Sequence, residues 1–124
     1  MDEELGNRNG IASDLGNIGN VYVEQGDYPK TLDYYFRALK IAEELGDKNS
    51  IAIWLGNIGT VYENQGDYPK ALDYYFKALK IKEELADKYG ISITLGNIGS
   101  VYTFTKKYKE AEKYLQDAGK MFKE

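Results

Sequence analysis

The segment Leu-Gly-Asn-Ile-Gly-x-Val-Tyr occurs three times in this chain, beginning at Leu15, Leu55 and Leu95. The copies are 40 residues apart, and residues 11–50 share 29 identities in 40 with residues 51–90. A fixed period of this length indicates a repeat architecture, in which each supersecondary unit buries its apolar face against a neighbouring copy. Proteins of this kind present binding surfaces more often than they perform chemistry.

Each 40-residue unit carries the pattern of two helices. In the second copy, Ile51, Leu55 and Ile58 are spaced four and three residues apart, which places them on one stripe of a helix. Gly66 marks the end of this helix, and Asp67 is a candidate N-cap for the next one. Applied to every copy, the pattern predicts helices at residues 11–25, 28–45, 50–65, 68–85, 91–105 and 108–122.

The sequence therefore predicts an all-α fold with a single domain over residues 1–124. The apolar fraction of 43% and the charged fraction of 29% are typical of a globular chain. The three repeats are residues 11–50, 51–90 and 91–124, approximately. Residues 2–8 match residues 42–48, so residues 2–10 are interpreted as the remnant of a preceding repeat.

The two ends of the array differ. Leu72, Phe76 and Leu79 of the second copy should contact the following repeat, and their equivalents in the third copy are Glu112, Gln116 and Gly119. A polar outer face of this kind is what a terminal repeat needs. At the other end, Ile11, Leu15 and Ile18 form an apolar stripe with no preceding repeat to cover it. We expect a homodimer through this N-terminal end or, less favoured, a stub that folds back over the stripe.

The small and aromatic residues of the repeat identify its family. Gly59, Tyr62, Ala71 and Ala78 resemble the signature of the tetratricopeptide repeat, and the resemblance covers residues 11–124. The 40-residue length and the repeated Leu-Gly-Asn are similar to the variant in cell-polarity adaptors, kinesin light chains and bacterial signalling proteins. The resemblance implies a right-handed superhelical array of three helix–turn–helix repeats, with a concave groove lined by the first helix of each repeat.

Composition argues against several classes of function. The net charge of −4 gives no footprint for nucleic acid, and the absence of histidine removes the commonest general base and metal ligand. The chain contains no cysteine, no apolar run approaching 18 residues and no recognisable phosphate loop or metal-ligand spacing. We therefore expect no enzyme activity, no cofactor, no metal and no membrane partner, and a cytoplasmic location. The recurring tyrosines occupy core-like positions, which favours packing over base stacking.

An asparagine recurs at the same helical position of each repeat, as Asn17, Asn57 and Asn97. Asparagine is a mediocre helix former, and its amide can satisfy both the N–H and the C=O of an extended peptide. These residues are therefore predicted to form a row that binds a peptide backbone. The alternatives are that each asparagine bonds a neighbouring helix, or that the similarity reflects recent duplication.

Two glycines occur in each first helix. Gly59 is expected to allow its repeat's second helix to approach closely near Ala71. For the row of Gly16, Gly56 and Gly96, two interpretations remain open: room for a ligand backbone, or close stacking of neighbouring helices.

The carboxylate clamp of chaperone-binding members of the family is not matched. Its basic positions fall on Gly16, Ile93 and Asn97, and only its asparagines correspond, at Asn20 and Asn57. Further groove-facing candidates contribute acid but no base, which disfavours an acidic ligand and favours a neutral or basic protein or extended peptide. The peptide-binding candidates besides the asparagine row are Asn20, Thr60, Ser100, Glu24, Glu63 and Asn64.

The predicted function is thus a protein- or peptide-binding scaffold. Two alternatives are kept: a self-assembling repeat module, and a sensory segment excised from a larger signalling protein.

Overall fold

A computed structural model describes the backbone of residues 2–123 and the side chains of residues 7–120. In this part of the chain the structure consists of helices joined by short turns, as the sequence predicted. The helices are α1 Asp2–Gln25, α2 Tyr28–Leu45, α3 Lys48–Asn64, α4 Tyr68–Glu84, α5 Lys88–Phe104 and α6 Tyr108–Lys123. Helices α1 and α2, α3 and α4, and α5 and α6 pair as three hairpins, and α2 packs on α3 as α4 packs on α5. The repeats therefore stack in sequence order.

The start of α1 corrects one prediction. We expected a helix over residues 11–25 preceded by a stub, but α1 is continuous from Asp2 to Gln25. At the equivalent position 40 residues later, the helix is broken at Gly46, which has a positive φ, and Asp47 caps the next helix. Residue 7 is asparagine, and a continuous helix satisfies the backbone groups that a turn would leave unbonded. The stub therefore does not fold back, and Ile11 and Ile18 remain exposed.

Aspartate caps start four of the helices. The side chains of Asp27, Asp47, Asp67 and Asp87 each accept a hydrogen bond from the backbone N–H three residues later, at distances of 2.9–3.3 Å. A capping oxygen satisfies one of the unbonded donors at a helix N-terminus. Lys107 stands at the equivalent position before α6 and offers no such acceptor. The second helix of the third repeat therefore lacks the side-chain cap that Asp27 and Asp67 provide in the first two repeats.

Glycine contacts hold the two helices of each repeat close together. Gly59 is buried, and a Cβ at this position would lie 2.8 Å from the Tyr75 ring and 3.3 Å from the carbonyl oxygen of Ala71. Gly19 meets Tyr35 in the same way, and Gly99 meets Leu115. The expected close approach near Ala71 is confirmed.

Aromatic residues build the contacts within and between repeats. Tyr62 of α3 stacks on Tyr74 of α4 with ring centroids 5.6 Å apart, and the corresponding pairs of the other two repeats do the same. Phe36 reaches the ring of Tyr74 edge-on, across the boundary between two repeats. The tyrosines of these stacked pairs are thus packing residues, as their positions predicted. Tyr108, which was also predicted at a core-like position, is instead 63% exposed.

The C-terminal face is polar, as expected. Leu72 and Leu79 pack against the core between the second and third repeats, and Phe76 meets Tyr114 edge-on. Their equivalents Glu112 and Gln116 are exposed and hydrogen bond to each other at 3.2 Å. At these two positions α6 therefore presents polar groups where α4 continues the stack with apolar ones, whereas Leu115 on the same helix is 47% exposed.

A packing prediction follows from the two glycines of α3. Gly59→Leu should lower the free energy of unfolding by about 1–3 kcal/mol, because the side chain overlaps the Tyr75 ring. The control is Gly56→Leu, since Gly56 has open space around it. This control should stabilise the helix by up to about 1 kcal/mol, since leucine is the better helix former. Urea denaturation of both variants measures the difference; equal midpoints would contradict the packing.

A second stability prediction concerns the turns. Ala86 and Lys106 have φ values of 53° and 62°, in the left-handed region where three equivalent turns carry glycine. A side chain costs about 1–2 kcal/mol there, partly offset by about 0.4–1 kcal/mol from the greater freedom of glycine in the unfolded chain. Ala86→Gly and Lys106→Gly should therefore each raise the thermal midpoint, whereas Gly66→Ala should lower it. The opposite order of midpoints would show that a side chain carries no penalty in these turns.

Candidate functional site

The asparagine row lies along the three first helices α1, α3 and α5. Asn17 is exposed, and Asn57 and Asn97 are half-buried. Among residues 7–120, whose side chains the structure describes, no group is hydrogen bonded to these three amides. The alternative in which each asparagine bonds a neighbouring helix is therefore not what the structure shows. Peptide binding by the row stays a prediction.

Two members of the row come together at one pocket. Asn57 and Asn97 both line a cavity of about 260 Å³ between α3 and α5, together with Gly56 and Thr94. We call this cavity the α3–α5 pocket. Asn17 is not among its lining residues. The row is thus divided between a pocket in the C-terminal half and an exposed position on α1.

The first glycine of each pair has two different environments. At Gly16 even a methyl group would overlap the ring of Trp54, so this glycine allows close stacking of neighbouring first helices. At Gly56 and Gly96 a Cβ would have no neighbour within 4 Å, leaving aside each helix's own backbone. Stacking is therefore the correct interpretation for Gly16. Open space surrounds Gly56 and Gly96, and its use by a ligand backbone stays a prediction.

Several other predicted site residues are engaged within the protein. The Tyr75 hydroxyl donates to Glu63 at 2.7 Å and lies 3.1 Å from the Thr60 hydroxyl, which also donates to the Gly56 carbonyl. Ser100 donates to the other carboxylate oxygen of Glu63 at 3.5 Å. These contacts position Thr60, Ser100 and Glu63 on one patch, but they also use much of their bonding capacity.

Burial raises the pKa of the Tyr75 hydroxyl well above its ordinary value. The hydrogen bond with Thr60 lowers this pKa in part, and the Glu63 carboxylate raises it. The hydroxyl therefore keeps its proton and acts as a donor at neutral pH. In the first repeat, Tyr35 donates to Asn20. Burial raises the Tyr35 pKa as well. Neither Tyr35 nor Tyr75 was predicted to bond the candidate site residues. The sequence signal that could have identified them is that they occupy the same position in their repeats.

The remaining candidates are on the surface. Glu24 and Asn64 are exposed near the ends of α1 and α3. A cation that was not assigned to the groove from the sequence, Lys82, lies at the edge of the α3–α5 pocket and donates to Asp87 at 3.2 Å. The backbone N–H of Gly90 and this ammonium group hold the pKa of Asp87 below its usual range. The pair places one positive and one negative charge together, so it adds no net charge to the pocket edge.

Within the described part of the chain, no group of three or more acidic, histidine or cysteine side chains could hold a metal ion. No described helix is both long and apolar enough to cross a membrane.

Sequence comparison establishes the family. The sequence model of the family described as "Tetratricopeptide repeat" matches residues 10–84 and, overlapping them, residues 50–124. The chain belongs to the tetratricopeptide repeat family. This family is a protein-interaction fold and is typically non-enzymatic. No curated protein is similar to the chain in sequence.

Solved structures agree with the fold. The apo form of RapI aligns with a TM-score of 0.87 and 25% identity, over 94% of this chain and 33% of RapI. The TPR domain of Arabidopsis FLU has a TM-score of 0.84 and 20% identity over 94% of this chain and 98% of that domain. The second TPR of Spaghetti (RPAP3), bound to the HSP90 peptide SRMEEVD, has a TM-score of 0.73 and 20% identity. The alignment covers 96% of this chain and 98% of that domain. The chain thus spans about a third of RapI and nearly all of the other two domains.

The structural similarities show an α–α superhelical repeat. The class of function that the family supports is a protein-interaction scaffold.

Proposed function

We propose that the chain holds an extended peptide across the face formed by α1, α3 and α5, through the amides of Asn17, Asn57 and Asn97. The observation that carries the proposal is that the three amides occupy equivalent positions and have no hydrogen-bond partner among the described residues. An amide offers a donor and an acceptor, which are the groups that a peptide unit requires. Asparagine also costs helix stability relative to alanine, and in the middle of three helices ligand binding would offset that cost.

The charge of this face favours a neutral or basic peptide. Glu24 and Glu63 contribute carboxylates, and the nearest cation at the α3–α5 pocket, Lys82, is paired with Asp87. The HSP90 peptide bound to the second TPR of Spaghetti (RPAP3) has the sequence SRMEEVD, which is acidic at its C-terminal end. The clamp positions that resemblance assigns to cations are Gly16, Ile93 and Asn97 here. A ligand of that acidic kind would therefore meet the carboxylates of Glu24 and Glu63, and the one described cation that lines the pocket is already paired.

The test is a triple substitution. A peptide selected from a displayed library against the chain should lose at least about tenfold in affinity when Asn17, Asn57 and Asn97 become alanine, since each amide hydrogen bond contributes about 0.5–1.5 kcal/mol. Helicity by circular dichroism should be unchanged. The matched control replaces three exposed lysines of the second helices, one in each repeat: Lys40, Lys80 and Lys120. Retained affinity in the asparagine variant, or an equal loss in the control, would count against the proposal.

Self-association is the second candidate function, and it rests on the exposed apolar side chains of α1. Ile11 is 50% exposed, Ile18 is 41% exposed and Val21 is 52% exposed. Neighbouring apolar residues that remain in water are typical of an interaction surface. In a symmetric dimer through the N-terminal end, α1 of one copy would cover α1 of the other.

Sedimentation tests this candidate. The chain should form dimers as its concentration rises, and Ile18→Glu should return it to the monomer because the glutamate would be buried in the interface. The control is Ile93→Glu on α5, where the isoleucine is 44% exposed, similar to Ile18. A monomer at all concentrations, or a control that dissociates the dimer equally, would rule out association through α1.

A further inference from the structure

Among the repeat positions at which the α1–α3 interface differs from the α3–α5 interface, one carries a tryptophan in the first of the two. This position is Trp54 on α3 and Thr94 on α5, 40 residues later. The Trp54 ring lies 5.6 Å from the ring of Tyr35, and it covers Gly16 so closely that a methyl group there would overlap it. An indole of the protein's own chain thus occupies the part of this interface beside Gly16.

The equivalent space of the next interface is open. Thr94 is short and buried, and its hydroxyl donates to the carbonyl of Gly90 in its own helix at 2.8 Å. Gly56 corresponds to Gly16, and its Cβ position has no neighbour within 4 Å outside its own helix backbone. The α3–α5 pocket therefore extends from Thr94 to Gly56 and Asn57. By contrast, the cavity of about 280 Å³ that Trp54 borders has neither Gly16 nor its neighbour Asn17 among its described lining residues.

We propose that the α3–α5 pocket receives one bulky aromatic side chain of a bound peptide, in the place that the Trp54 ring occupies in the preceding interface. The inference rests on the proposed function and narrows the ligand to peptides with an aromatic residue. The volume of about 260 Å³ is below the roughly 300–1,000 Å³ of sites for drug-sized molecules, and suits a single side chain. An aromatic ring offers the largest apolar area for such a space.

The walls of the pocket fit this occupant. Ile53 and Ile93 line it and are each 44% exposed, so a ring that enters would cover apolar surface now in contact with water. Asn57 and Asn97 line the same pocket, and their amides are available to the peptide backbone on either side of the ring. The ion pair of Lys82 with Asp87 sums to zero charge at the edge, which disfavours a charged side chain as occupant.

A capped amino acid tests the pocket without a known ligand. The full chain, labelled with ¹⁵N, is titrated with N-acetyl-tryptophanamide and separately with N-acetyl-lysinamide. The tryptophan probe should shift the amide signals of Gly56, Asn57 and Asn97, and leave those of Gly16 and Asn17 unchanged. The lysine probe should bind at least tenfold more weakly.

Two variants fill the pocket from opposite helices. Thr94→Trp places an indole where the preceding repeat has one, and Gly56→Leu adds a side chain at a position with open space. Each should reduce binding of the tryptophan probe at least tenfold. The control is Gly96→Leu, because Gly96 is equally open but does not line the pocket. Gly56→Leu keeps the test decisive if the chain with Thr94→Trp fails to fold.

The outcomes separate this inference from the proposed function. Signals that shift evenly over the surface, or binding that survives both filling variants, would overturn the pocket. A library-selected peptide that needs the three asparagines but has no aromatic residue would keep the proposed function and overturn the pocket. Tryptophan bound at the pocket, with no peptide selected from the library, would support the pocket and count against the peptide-binding row.

Discussion

The contact between a glycine of the first helix and a large side chain of the second determines much of this structure. At Gly59 the Tyr75 ring lies against the helix backbone, and the rest of the repeat is arranged around this approach. Because the ring crosses under the first helix, its hydroxyl emerges beside Thr60 and Glu63 on the neighbouring surface. A packing contact in the core therefore also decides which polar groups of that surface are already bonded. In the third repeat, Leu115 provides the packing without a hydroxyl.

Similar repeats nevertheless produce different interfaces. The first helices of neighbouring repeats approach each other closely at few points, so one substitution changes the contact. Trp54 covers Gly16, whereas Thr94 leaves Gly56 uncovered. The backbone repeats every 40 residues, but the surface between first helices does not. The positions at which the copies differ therefore make one interface distinct from the next.

Features that depend on local chemistry could be predicted from the sequence, and those that depend on neighbouring side chains could not. Gly66 and Asp67 identified a helix boundary, because positive φ and capping are properties of single residues. The same logic failed at the start of α1, where residue 7 is asparagine and the helix continues through it. The bonds of Tyr75 to Thr60 and Glu63 were missed because the partners are 12 or more residues away on another helix.

The open glycines weaken their helices without a visible gain in the free protein. Glycine inside a helix costs about 1 kcal/mol relative to alanine, and at Gly16 that cost is explained by the indole packed against it. At Gly56 nothing in the described structure occupies the space, so the packing that explains glycine in the first repeat is absent from the second. A residue that weakens its own helix without serving a contact is a local inconsistency of the kind found at functional sites. A ligand that supplied the missing contact would account for glycine at position 56. Gly56 is next to Asn57, whose amide we propose binds the peptide.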